Sequence, residues 1–239
     1  YIKYIKYLQH KNILEDEIEK LEVEDLQAVS GLKALRVKVK HLENAILQEA
    51  ETFITKLFQE RLDTKFSYHN LDHTKNVVLG IETLCNAEKL DEETTTVLLL
   101  AGWFHDVGYI ECSENHEMQS VDIALEFLNA KNIAVGIQEK VAKLIMATKF
   151  DYTPSNKLEN IIKDADNVHL ANKNYPNTLE QLRNEWEQSI NTKYCNEDWY
   201  HLNVEFLKKH QYYTKFAKDN WQNLKELNLN IIEQKLQNQ

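Results

Sequence analysis

Side chains able to bind metals or move protons gather in four short stretches, each beside an apolar run. They are Tyr68-His69-Asn70-Leu71-Asp72-His73, the doublet His105-Asp106, Glu114-Asn115-His116-Glu117, and Asp164-Ala165-Asp166 with His169 three residues on. Two histidines four apart on a helix can serve capping or packing alone. The doublet is harder to explain that way, because it directly follows Val97-Leu98-Leu99-Leu100-Ala101-Gly102-Trp103-Phe104, the longest apolar stretch in the chain. An ionisable pair ending such a run must either reach water or be satisfied inside. A divalent metal satisfies both members, since neutral imidazole and carboxylate are its natural ligands.

The order His…His-Asp…Asp resembles the HD superfamily of metal-dependent phosphohydrolases. Ala101-Gly102-Trp103-Phe104-His105-Asp106-Val107-Gly108-Tyr109 is similar to that family's doublet segment, and Tyr68-His69-Asn70 followed by His73 resembles the opening motif of cyclic-nucleotide phosphodiesterases. The resemblance covers about residues 47 to 215. It implies His73, His105, Asp106 and Asp166 as metal ligands, with manganese, magnesium, iron or zinc as the divalent ion. It implies His69 as general acid, against a packing role. Glu117 is a candidate for orienting the attacking water, against a solvated acid at a helix start. Lys149 and His210 are candidate substrate contacts; a surface lysine is the plain alternative for the first, and the second is placed at a pocket mouth. Only His116 lies as an extra histidine between the doublet and Asp166, so a full two-metal ligand set is not expected. Asp164 reads as a residue behind the ligands or on the surface, and His169 as a buried, hydrogen-bonded histidine.

The elements that must position these groups read as helices. The chain has 239 residues but only 5 Gly and 2 Pro, too few turn residues for a sandwich, barrel or dinucleotide fold. The expected fold is all-α: an HD-domain-like helical bundle with a long N-terminal coiled-coil-type helix. Leu14, Ile18, Leu21, Asp25, Ala28, Leu32, Leu35, Val39, Leu42 and Ile46 alternate in steps of four and three, and only Asp25 breaks the seam. Its partner is either a second copy, giving a homodimer, or the domain that follows. The expected division is 1–46 for this helix and 47–239 for the catalytic domain. Further helices are expected from Asp91 as N-cap, from Ser113-Glu114, over 135–148, over 157–171, from Pro176, and along the aromatic tail at 197–235. The tail's Trp199, Tyr200, Phe206, Tyr212, Tyr213 and Trp221 read as core ahead of a base-stacking wall. The opening Tyr1–Tyr7 is basic and aromatic; it reads as a helix end packed on a neighbour ahead of the flank of a membrane segment.

Charge narrows the function further. Asp+Glu is 38 against Lys+Arg 28, a net −10, which does not suit a duplex nucleic-acid binder. No apolar stretch approaches the roughly 20 residues of a membrane span. The three isolated cysteines, Cys85, Cys112 and Cys195, suggest no disulfide framework and a cytoplasmic setting. The leading expectation is a metal-dependent phosphohydrolase acting on a small phosphorylated metabolite, with a nucleotide as first candidate. The alternatives are a cyclic-nucleotide phosphodiesterase and a nucleotide-binding signalling module with weak or no hydrolysis.

Overall fold

A computed structural model describes residues 26–238. The opening Tyr1–Tyr7 and the first half of the heptad, Leu14 to Asp25, lie outside the described residues. Among the described residues there are ten α-helices and two short 3-10 turns, and no strand. The order is α1 (Leu26–Arg61), α2 (Leu71–Glu88), α3 (Glu92–Phe104), a first 3-10 turn (Val107–Ile110), α4 (His116–Ala130), α5 (Val135–Met146), α6 (Lys157–Asp166), a second 3-10 turn (Asn167–Ala171), α7 (Tyr175–Ile190), α8 (Asn196–Lys209), α9 (Lys215–Asn220) and α10 (Gln222–Gln237). The all-α expectation holds. One helix runs from Leu26 to Arg61, straight through residue 46, and Ile46 at the end of the heptad is buried against the chain's own core.

The centre of the bundle is α3. Every residue from Val97 to Phe104 is buried, so the last two turns of this helix have no solvent face. It packs against α1, α2, α5 and α6. Fully burying one such Leu or Val contributes about 1.5–3 kcal/mol, so the apolar run fixes α3 at the middle. Ile54 of α1, Ile81 and Leu84 of α2, Leu128 of α4, Ile145 of α5, and Ile161 and Ile162 of α6 close around it. A smaller core joins α7, α8 and α10 through Tyr175, Leu179, Trp199, Val204, Leu207 and Ile232. Trp199, Tyr200, Tyr212 and Trp221 are buried, which bears out the core reading of the tail, whereas Tyr213 is partly exposed.

Local polar chemistry sets the helix ends. Asp91 caps α3 as expected, its carboxylate accepting from Thr94 N at 2.7 Å. Helix α4 starts later than Ser113, at His116, because Asn115 takes a left-handed conformation (φ 54°) that turns the chain. The expected 157–171 helix stops being α at Asp166. There the Asn167 side chain joins its own backbone N–H on Lys163 O, at 2.9 Å, and His169 Nδ1 lies 3.1 Å from Asp166 O, a carbonyl that a further α turn would need. The tail is broken at 210–214, and Asp164 does the breaking. This carboxylate is fully buried. It accepts from Tyr213 N at 2.9 Å, Thr214 N at 2.8 Å and Thr214 Oγ1 at 2.7 Å, and Thr214 then caps α9. Asp164 therefore ties the tail to the bundle and is not a surface residue. Replacing it by alanine leaves three donors unpaired in the interior. We expect Asp164→Ala to lose roughly 3 kcal/mol in a denaturant titration, with metal content unchanged.

Among the described residues, no helix is long and apolar enough to cross a membrane.

Candidate metal centre

The apolar second half of α3 ends inside the bundle and delivers His105 and Asp106 there. His105 is its C-cap and Asp106 begins the first 3-10 turn. The turn is held against α4 by Gly108 N, which donates to Ser120 Oγ at 2.8 Å. Helix α2 supplies His73 from its first turn. Asn70 is the N-cap, its side chain accepting from Asp72 N at 2.9 Å and His73 N at 3.3 Å. The asparagine of Tyr68-His69-Asn70 thus fixes where His73 stands. Helix α6 supplies Asp166 from its last position, and Gly80 lets α2 and α6 approach closely, since a Cβ there would lie 3.3 Å from Ala165.

Four donor atoms result. His73 Nε2 is 3.2 Å from His105 Nε2 and 3.2 Å from Asp106 Oδ2, and His105 Nε2 is 3.1 Å from the same oxygen. Asp166 Oδ1 lies 3.2 Å from His73 Nε2 and 3.5 Å from His105 Nε2. His73, His105 and Asp106 form the tight, buried group; Asp166, with 24% of its side chain exposed, is the looser fourth.

These separations suit a cation. Ligands about 2.1 Å from one ion stand about 3.0 Å apart at octahedral angles and about 3.4 Å apart at tetrahedral ones. Asp106 Oδ2 is buried and has no aligned hydrogen bond, despite two imidazole nitrogens nearby. An orphaned carboxylate oxygen is costly unless something positive reaches it.

The electrostatics agree. Burial by itself pushes the Asp106 carboxyl up, but His105, with His116 and His73, outweighs it and holds the group well below the usual carboxylate range. Asp166 behaves alike: burial raises it, and the bonds to His105 and His73 bring it far down. His105 shows the converse, lowered by burial and raised well above its ordinary value by Asp106 and Asp166. His105 also stands at the C-terminal end of α3 and Asp166 at that of α6, where unsatisfied carbonyls carry partial negative charge. The cluster is a sink for positive charge.

His69 is not on the helix, so the one-turn spacing inferred for His69 and His73 does not apply. It precedes the N-cap of α2, and its ring centre is 5.8 Å from that of His73. Its ring stacks on Tyr109 at 4.2 Å and 13°, and Tyr109 stacks in turn on His116 at 4.1 Å and 29°. His116 Nε2 lies 3.4 Å from Asp106 Oδ1 and 3.6 Å from Glu117 Oε1. Glu117 is buried beside the cluster, not solvated. His169 is hydrogen-bonded, with Nδ1 2.9 Å from Tyr68 Oη, and burial first, then the charge of His73, lowers it to about 4.

Among the described residues, neither the Lys149 nor the His210 side chain hydrogen-bonds a member of the cluster, though the charge of Asp166 acts on His210. Lys149 lies in the turn after α5, where buried Lys163 donates to the carbonyls of Thr148, at 3.3 Å, and Lys149. His210 follows α8. Its Nδ1 is buried without a partner, and burial, then Lys225, lowers its pKa to about 3.

Sequence reasoning missed Glu185. It lies on α7 and is joined to the Tyr68-His69 segment by three contacts.

The helical bundle brings buried histidines and carboxylates from three helices to one point, a donor set that suits a divalent metal. Residues 70–171 match the family model described as HD domain. The match includes His73, His105, Asp106, Glu117, Lys149 and Asp166 and stops short of His69, Glu185 and His210. HD domains bind divalent metals, in keeping with the buried group of His73, His105 and Asp106. Comparison with curated proteins and with solved structures gave no match.

Proposed function

We propose that this protein hydrolyses a phosphate ester or anhydride of a small metabolite, with nucleotides as the substrate class to test first. The observation that carries the reading is the buried Asp106 oxygen without a hydrogen bond, 3.1 and 3.2 Å from two imidazole nitrogens in the stretch that matches the HD domain. His73, His105, Asp106 and Asp166 would hold the ion. A divalent cation there supplies positive charge for phosphoryl oxygens and makes a water acidic enough to lose its proton near neutral pH.

The chain's own groups do the rest. Glu117, buried beside His116, orients the attacking water and takes its proton. His69, across the Tyr109 ring from His116, protonates the departing oxygen. Lys149 meets substrate phosphate from the turn that Lys163 ties to α6 three residues before Asp166, and His210 lines the approach. The heptad up to Ile46 supports a homodimer, and the residues from 47 to 239 carry the catalysis.

The experiment is to load the full chain with manganese, magnesium, iron or zinc and offer an aryl phosphate, cyclic nucleotides, and nucleoside mono-, di- and triphosphates. Turnover of none of them with any ion overturns the reading and leaves a binding module. Turnover of cyclic nucleotides alone makes it a phosphodiesterase. His69→Ala is expected to keep its metal and to lose about 10²–10⁴-fold in kcat on esters with poor leaving groups. Loss of metal in that variant would make His69 a ligand instead.

A further inference from the structure

Glu185 is 116 residues from His69 in sequence, yet its carboxylate is used up on this one segment. The residue is 2% exposed. Oε2 accepts from the main-chain nitrogens of Tyr68 and His69, both at 3.0 Å, and Oε1 meets His69 Nδ1. A buried carboxylate costs several kcal/mol unless it is paired and hydrogen-bonded. Here every partner belongs to the two residues leading into α2. The His69 ring is further held by its stack on Tyr109. With Nδ1 engaged, Nε2 is the remaining ring nitrogen, and it has no partner among the described residues. The ring centre stands 5.8 Å from that of His73 and 6.2 Å from that of His116, so the ring sits at the edge of the cluster.

We propose that Glu185 is the positioning residue for His69: it accepts Nδ1–H and fixes the ring's orientation, so that the transferable proton sits on Nε2. This rests on the reading of His69 as general acid. As the bond from phosphorus to the leaving oxygen breaks, its electron pair goes to that oxygen, which takes the Nε2 proton. His69 is left neutral, with Nδ1–H still on Glu185. The attacking water forms the new bond to phosphorus and gives its proton to Glu117. One proton leaves the water and one reaches the leaving group, so the step balances, and exchange with solvent restores both side chains.

The test uses the metal-loaded full chain with two probes, phenyl phosphate and 4-nitrophenyl phosphate, whose leaving groups differ in their need for protonation. Glu185→Gln keeps the size and removes the charge. It is expected to retain wild-type metal content and KM, and to lose about 10–100-fold in kcat on phenyl phosphate but under about threefold on 4-nitrophenyl phosphate. His69→Ala with Glu185→Gln is expected to be no slower than His69→Ala alone. Glu185→Asp, which keeps the charge and withdraws it by one methylene, should show the same leaving-group pattern and covers the case that the glutamine variant does not fold. Equal losses on both probes, or additive losses in the double variant, would reduce Glu185 to a structural tie and overturn the proposal. A defective His69→Ala beside a full-rate Glu185→Gln overturns the Glu185 proposal alone. A full-rate His69→Ala on phenyl phosphate overturns the general-acid reading, and the Glu185 proposal with it.

Discussion

Asp106→Asn is expected to give a folded protein that no longer holds its metal. The substitution keeps the size of the side chain, so packing around the first 3-10 turn survives, but it removes a buried charge that faces two imidazole nitrogens at 3.1 and 3.2 Å. Asp106 also reaches His116 through its other oxygen, at 3.4 Å, and no other carboxylate in the tight group can replace it. Outer partners of metal ligands are worth about 10–100-fold in affinity, so a ligand itself should cost at least about 100-fold. Elemental analysis after desalting should find metal in the parent chain and almost none in the variant. The melting temperature of the parent should rise with added manganese and that of the variant should not, because only binding to the native state stabilises it. Full metal content in Asp106→Asn would reject the ligand assignment.

The second large effect is steric. A Cβ on Gly108 would lie 2.0 Å from the carbonyl oxygen of His116 and 2.9 Å from both His116 C and Ser120 N. These are backbone atoms, so no rotamer change relieves the overlap. The first 3-10 turn and the start of α4 must separate, which breaks the Gly108–Ser120 bond and draws His116 away from Asp106. Overpacking of this kind costs about 3 kcal/mol or more, roughly 6–12 °C in melting temperature for a chain of this size. Gly136→Ala is the control: nothing lies within 4 Å of a Cβ there, and alanine favours the helix. Thermal melts in which the two alanine variants coincide would show that the contact does not constrain the turn.

The central helix and the ligand doublet were legible because they depend on local pattern. An unbroken apolar run must be buried, the scarcity of Gly and Pro made it a helix, and an ionisable pair at its end needs a partner. Asp91 was legible as a cap for the same reason. His69 was misplaced because the four-residue spacing assumed a helix through Asn70, whereas asparagine before an acidic first turn is itself a start signal. Glu185 was hidden by distance in sequence. One clue was present: Tyr175, Leu179, Leu182 and Glu185 follow one another at steps of four, three and three, placing an acid on the apolar face of α7. Asp164 was misjudged because its partners are main-chain amides of residues 213–214, which side-chain pattern does not reveal.

The C-terminal ends of α3 and α6 meet at the cluster together with two carboxylates. On the proposed reading, a phosphate ester approaching that point would face two carboxylates and two carbonyl-bearing helix ends. A divalent cation seated there would cancel the two carboxylate charges. Binding would in this sense be ordered, the cation first and the phosphate second, with charge alone setting the order.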